Sequence, residues 1–258
     1  MAGNWKMHHD HIEALHTVRD LGLRLKPADT QRVDVAVHPP FTDLRTVQSL
    51  IESAGIPVAL GAQHCNDRDR GALTGEVSPQ MLARLGVRYV LVGHSERRQH
   101  FHMTDANVAA TVRAVRRHQM TPVCCVGETE AEHDAGLRDD RLRSQVVAAL
   151  DGLGPEELGG LVVAYEPIWA IGTGRAAEPG DAQAAAEVIR QTVADLGGPE
   201  GAGPLRILYG GSAQPDNAAE LVAGPDVDGL LVGGASLEAG PFVDILRAVA
   251  GCYRSLAG

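Results

Sequence analysis

An α/β fold of eight parallel strands closed into a (β/α)8 barrel is the class this sequence predicts, and three observations predict it. Short apolar runs of buried-strand length alternate with helix-period segments from end to end. The chain has 258 residues, close to the ~250 typical of one such barrel. No long linker or low-complexity tract interrupts the alternation, so residues 1–258 read as one barrel domain. An open doubly wound sheet is the competing architecture. It is weakened by the lack of a G-x-G-x-x-G after the first strand, where a dinucleotide would need it.

In chain order, the predicted strands are Ala2–Trp5, Val33–Val37, Val58–Gly61, Tyr89–Val92, Pro122–Val126, Leu161–Tyr165, Leu205–Tyr209 and Gly229–Val232. Each is a run of apolar residues too short for a helix and closed by glycine or polar punctuation. Between them, His11–Leu25, Asp105–His118, Asp139–Leu150 and Asp181–Leu196 carry apolar residues at helical spacing, with Asp105 and Asp181 suited to be N-caps.

A formal charge of −10 argues against nucleic acid as a partner. There is no N-terminal apolar signal region, and no apolar run approaches the ~18 residues of a membrane span, so the expected location is the cytoplasm. The four cysteines, Cys65, Cys124, Cys125 and Cys252, show no metal-ligand spacing and read as reduced structural thiols. Cys124 and Cys125 are adjacent in a strand and should face opposite sides of it.

In a barrel of this kind, reactive groups collect at the C-terminal ends of the strands. Here those ends carry Asn4 and Lys6 after the first strand, His94 and Glu96 after the fourth, and Glu166 after the sixth. Gly210-Gly211-Ser212 follows the seventh, and Gly233-Gly234 the eighth. Singly, Lys6 is equally a solvated charge, His94 a helix cap and each glycine pair a tight turn. Their joint placement on one face of one barrel is what argues for a site.

The most informative stretch is Ala164-Tyr-Glu-Pro-Ile-Trp-Ala-Ile-Gly-Thr-Gly174. A buried strand delivers the lone carboxylate of Glu166, and Pro167 leads into bulky apolar residues with a glycine-rich exit. That pattern reads as a dry lid pivoting at both ends. A carboxylate enclosed by apolar groups is a stronger base than one in water. Glycines after the last two strands let backbone N–H groups approach an anion closely. His94 precedes Ser-Glu-Arg-Arg, which reads as a helix start whose dipole favours a neutral ring.

Six motifs in order carry a resemblance: Gly3-Asn-Trp-Lys-Met7, Thr74-Gly-Glu-Val-Ser78, Val92-Gly-His-Ser-Glu-Arg-Arg98, Ala164–Gly174, Tyr209-Gly-Gly-Ser212 and Leu231-Val-Gly-Gly-Ala-Ser-Leu237. Through them the chain resembles the triosephosphate isomerase family nearly end to end. The resemblance implies a TIM barrel that assembles as a homodimer and interconverts dihydroxyacetone phosphate and D-glyceraldehyde 3-phosphate without cofactor or metal. It implies Glu166 as the base, His94 as a neutral electrophile, and Lys6, held with Asn4, as the positive charge, with Glu96 a supporting acid. Gly172, Ser212, Gly233 and Gly234 would grip the phosphate. Pro167 and Trp169 would form the first lid hinge, Ile171 would cover Glu166, and Tyr209 would bond the exit hinge near Ala177. The loop Gln63–Glu76 would insert into a two-fold mate, with Thr74 approaching Asn4 and Lys6. The neutral histidine and glutamate base of this family are a standard case of pKa tuning.

Four positions depart from the family pattern: His8 and His64 where asparagine is common, Met103 where a buried acid is usual, and Arg175 where lysine begins the lid exit. They bear on the tightness of the dimer rather than on the chemistry. Two other functions fit the same motifs less directly. One is an aldose–ketose isomerase of a four-carbon sugar phosphate, separable by relative kcat/KM. The other is a non-catalytic binding barrel, which any turnover eliminates.

Overall fold

Eight parallel strands close on themselves in sequence order, β1 Ala2–Asn4, β2 Ala36–His38, β3 Ala59–Ala62, β4 Tyr89–Val92, β5 Thr121–Val126, β6 Val162–Tyr165, β7 Arg206–Tyr209 and β8 Gly229–Val232. The computed structural model describes residues 1–171 and 177–255, with side chains through Cys252. Closure is made by β1 pairing both β2 and β8, with Ala2 opposite Ala36 and Leu231. The helices are α1 His11–Arg24, α2 Leu44–Ala54, α3 Pro79–Arg84, α4 Ser95–His100, α5 Asp105–Arg117, α6 Glu130–Asp134, α7 Arg138–Leu150, α8 Pro155–Gly159, α9 Pro179–Ala202, α10 Ala218–Leu221 and α11 Ala239–Ser255. None of the described helices is long and apolar enough to cross a membrane.

Successive strand residues face opposite ways, so each apolar run feeds two cores. Ala2, Ala36, Leu91, Cys125, Ala164 and Leu231 fill the barrel, while Val37, Val92, Cys124, Val163, Ile207 and Val232 meet the helices. Cys124 and Cys125 therefore do face opposite sides. Cys65, Cys124 and Cys125 are buried free thiols, and burial pushes the Cys65 and Cys124 thiols up to about 12.

β4 and β8 fall where the sequence predicts them, β1, β5, β6 and β7 shift by a residue at one end, and β3 shifts by a residue at both. β2 is corrected: Val33 and Val35 are buried, but the ladder begins at Ala36 and runs to His38. Apolarity reports burial there, not pairing. The two predicted caps are corrected as well. Thr104 caps α5, accepting from Asn107 N–H, and Asp105 is its first residue, paired with Arg98. Glu178 precedes α9, and Asp181 reaches back to its N–H at 3.0 Å. A carboxylate in the first helical turn is as favourable as one at the cap. α9 breaks at Gly197 and Gly198, one residue beyond the predicted end at Leu196.

Candidate active site

The C-terminal mouth of the barrel holds a cavity of about 280 Å3 lined by Asn4, Lys6, His94, Glu166, Ile171, Leu231 and the turns after β7 and β8. Glu166 is bonded into the sheet through its N–H to Val126 O at 2.8 Å and is 2% exposed. Glycines wall it on both flanks. A Cβ at Gly127 would lie 1.9 Å from the Glu166 carbonyl oxygen, and one at Gly210 would lie 3.2 Å from Glu166 Cγ. Close approach of neighbouring backbone is what sets the base in place.

Three donors hold its carboxylate. Ser95 N–H donates to Oε2 at 2.9 Å, Ser95 Oγ donates to Oε1 at 3.3 Å, and His94 Nε2 lies 2.8 Å from Oε1. His94 is the N-cap of α4, and its Nδ1 accepts the Glu96 N–H at 3.2 Å. Burial lowers the pKa of His94, and the Glu166 carboxylate outweighs it, carrying the ring above the ordinary histidine value. The cap geometry opposes this, because a charged ring needs a proton on Nδ1, where an N–H already points. That hydrogen bond favours a neutral ring with its proton on Nε2. A ligand entering between the two side chains would also remove the carboxylate's pull.

Lys6 lies across the cavity in a left-handed backbone conformation, φ 52°. Its N–H donates to Asn4 Oδ1 at 3.0 Å, and its Nζ meets Glu96 Oε1 at 2.5 Å. That pair holds the Glu96 carboxyl below the usual carboxylate range against its partial burial. Glu96 does not line the cavity; it reaches it through Lys6 and through His94, whose Nδ1 lies 3.6 Å from Glu96 Oε2. Gly233 and Gly234 open a tight turn whose carbonyl end is fixed by Ser236 Oγ donating to Gly233 O at 2.7 Å. Its first N–H groups have no partner within the turn. Ser212 is exposed at the rim, and its carbonyl accepts Asn217 Nδ2 at 3.3 Å.

Of the predicted lid, Pro167–Ile171 is a tight turn, with Ala170 N–H donating to Pro167 O at 2.8 Å. Gly172 and the rest of the segment through residue 176 lie outside the described residues. Trp169 is buried, and Tyr209 is buried with its hydroxyl directly over Gly211. Ala177 packs on the outer core, and Thr74 is exposed in the turn containing Gly75. Among the described residues no three His, Cys, Asp or Glu side chains converge to hold a metal.

Three contributors were not predicted. Ser95 anchors Glu166. Gln63 Nε2 donates to Lys6 O at 2.7 Å and His38 O at 2.9 Å, holding the strained lysine backbone. Glu128, fully buried, accepts Trp169 Nε1 at 2.7 Å and Tyr165 Oη at 2.9 Å. Of these, only Ser95, next to His94, carried a local signal.

Comparison with known proteins identifies the family. The family model described as triosephosphate isomerase matches residues 1–249. The triosephosphate isomerase of Cutibacterium acnes is 49% identical over 248 residues, covering 95% of this chain and 96% of that protein. That of Nocardia farcinica is 45% identical over 251 residues, covering 97% and 96%. The crystal structure of triosephosphate isomerase from Bartonella henselae superposes with a TM-score of 0.85 at 34% identity, covering 98% of each chain. With its closed barrel, its enclosed carboxylate and matches of this extent, the chain belongs to the triosephosphate isomerase family.

Proposed function

We propose that this chain interconverts dihydroxyacetone phosphate and D-glyceraldehyde 3-phosphate by proton transfer through an enediolate, using no metal or organic cofactor. One observation supports this above the rest. A buried carboxylate, Glu166, faces the Nε2 proton of a neutral His94 in a cavity whose other wall carries Lys6. Removing a proton beside a carbonyl needs a base facing carbon and donors facing oxygen, and this pocket offers both.

Ser95 and His94 hold the Glu166 carboxylate at the cavity wall. Substrate binding between the carboxylate and the imidazole frees Glu166 to take the proton from one carbon. The electron pair moves to the carbonyl oxygen, which His94 Nε2–H protonates while Lys6 stabilises the developing charge. Glu166 then returns its proton to the adjacent carbon, while the hydroxyl on the first carbon gives its proton back to His94 Nε2 and becomes the new carbonyl. The N–H groups at Gly233 and Gly234, with Ser212 and Gly172, would hold the phosphate as turn and helix starts hold anions. Ile171 and Leu231 exclude water over the base.

The working unit is proposed as a homodimer, with the loop Gln63–Glu76 entering a two-fold mate and Thr74 near Asn4 and Lys6. Exposed apolar side chains support it on the loops and helices after β1, β3 and β4: Met7 at 94%, Met81 at 56% and Phe101 at 63%. Beside them, His64 Nδ1 and Arg97 Nε are buried with no hydrogen-bond partner among the described residues. The buried free thiols of Cys65, Cys124 and Cys125 fit a reducing compartment, the cytoplasm.

The test is a coupled assay of purified protein on D-glyceraldehyde 3-phosphate and on a four-carbon ketose phosphate. Turnover should favour the triose by orders of magnitude in kcat/KM. A preference for the four-carbon substrate, or no turnover on either, overturns the reading.

A further inference from the structure

The first hinge of the lid is gripped by a side chain that the chemistry above does not use. Thr129 caps the short helix α6, accepting Glu132 N–H at 3.3 Å while the Glu132 carboxylate takes the Thr129 N–H at 2.8 Å. That reciprocal box, immediately after the end of β5, fixes where the next residue, His133, projects. Its imidazole lies nearly flat on the Trp169 indole, with ring centroids 4.1 Å apart and 23° between planes. His133 Nδ1 is also 3.6 Å from Glu128 Oε1, the oxygen that accepts from Trp169 and Tyr165. The indole is thus held at its N–H edge by a buried carboxylate and across its face by an imidazole. Trp169 lies two residues before Ile171, which lines the cavity, so its placement sets the direction in which the lid leaves the barrel.

We propose that His133 is a positioning residue for the lid: stacked on Trp169 and facing Glu128, it holds the hinge of the segment that closes over Glu166. The catalytic consequence rests on the isomerase reading; the contact itself does not.

Among the described residues, Glu128 faces the ring, 3.6 Å from His133 Nδ1. Within α6, Glu132 is engaged by Thr129 and by Arg141 of α7 at 3.4 Å, and Glu130 and Asp134 flank it. Arg138, at the start of α7, pairs with Asp139 at 2.8 Å. Burial raises the pKa of Glu128, and its Oε2 has no hydrogen-bond partner among the described residues. A proton on His133 would therefore strengthen both contacts, adding charge over the indole face and toward the carboxylate. Aromatic stacking of this kind also holds when the ring is neutral.

A protonated imidazole against an indole quenches its fluorescence, which gives a readout independent of activity. The chain has two tryptophans, and the other, Trp5, stands edge-on to His9 at 5.0 Å. The difference between the unaltered chain and His133→Phe isolates Trp169. Emission of the unaltered chain should be lower than that of His133→Phe, by the quenching the imidazole exerts on Trp169. Superimposable emission spectra overturn the contact. His133→Phe keeps a flat ring and should stay within about twofold of the original kcat. His133→Ala should lower kcat several-fold and raise several-fold the share of turnovers that expel phosphate as methylglyoxal, with KM changing less. A His133→Ala protein indistinguishable in both quantities, or equal losses in the two variants, overturns the positioning role. If the unaltered chain isomerises no triose phosphate, the isomerase reading and the catalytic half of this proposal fall together, while emission still decides the contact.

Discussion

Glu166 and Glu128 are both buried carboxylates, one in the cavity and one behind the lid hinge, and their substitutions should fail differently. Glu166→Gln keeps the shape and most of the hydrogen bonds to Ser95. The protein should fold and bind phosphate ligands as before, while kcat falls by at least the ~10²–10⁴ that a general base contributes. Retention of more than about a tenth of the original rate would remove Glu166 from the role. Glu128 makes a prediction about stability. Its pKa is raised by burial, so the folded chain keeps that proton to higher pH than the unfolded chain does. The contribution of this group to stability is then greatest in acid and declines as pH rises from the ordinary carboxylate range through the raised value. Glu128→Gln cannot ionise and should lose that slope. Urea unfolding across acid to neutral pH should show the original chain losing ground to the variant as pH increases. The opposite trend would mean that the folded state favours the charged carboxylate.

At the scale of elements, the lid is the segment whose loss should be most specific. An enediolate phosphate open to water expels phosphate readily, so deleting residues 171–173 should depress isomerisation and raise the methylglyoxal fraction together. Tyr209→Phe should do both by a few-fold at most, since one hydrogen bond is worth roughly 0.5–1.5 kcal/mol. If the deletion slows turnover with no added phosphate release, this segment does not enclose the intermediate. The strands were legible because an apolar run of four or five residues ending in glycine or a polar group has few other structures open to it. β2 was misplaced because Val33 and Val35 are buried without pairing, and sequence shows burial more directly than hydrogen bonding. The caps at Thr104 and Glu178 were displaced onto neighbouring acids that serve the same turn. Lys6, His94 and Glu166 were readable from their positions at strand ends. Gln63 and Glu128 were not, since Gln63 meets the Lys6 carbonyl from 57 residues away and Glu128 meets Trp169 from 41 away. Only closure of the barrel brings those pairs together.

For the whole molecule, Gln63 joins assembly to chemistry. It is the first residue of the loop proposed to enter a partner, and it also grips the carbonyl of Lys6. Separating the subunits should therefore loosen the lysine as well as expose apolar surface. On dilution, specific activity should fall along the same concentration curve as the dimer fraction measured by sedimentation, with KM rising. A fully active monomer at micromolar concentration refutes the link. Met103 packs among apolar neighbours, and Arg97 Nε and His64 Nδ1 have no hydrogen-bond partner among the described residues. Burial and the nearby Arg97 lower the His64 pKa to about 4, so it stays neutral near pH 7 and adds no charge at this surface. Met103→Glu should restore a partner for Arg97 and shift the dissociation curve to lower concentration.

The glycines beside Glu166 have a consequence for how this sequence can change over generations. At position 127 even a methyl group would have to occupy the space of the Glu166 carbonyl. Drift can reach the rim serine, the dimer loop or the lid hinge through many small replacements. It has no such gradual route past the backbone that seats the base. Variants that keep the base in place are confined there to the residue with no side chain, and the history of this corner should read as stasis while the loops around it diversify.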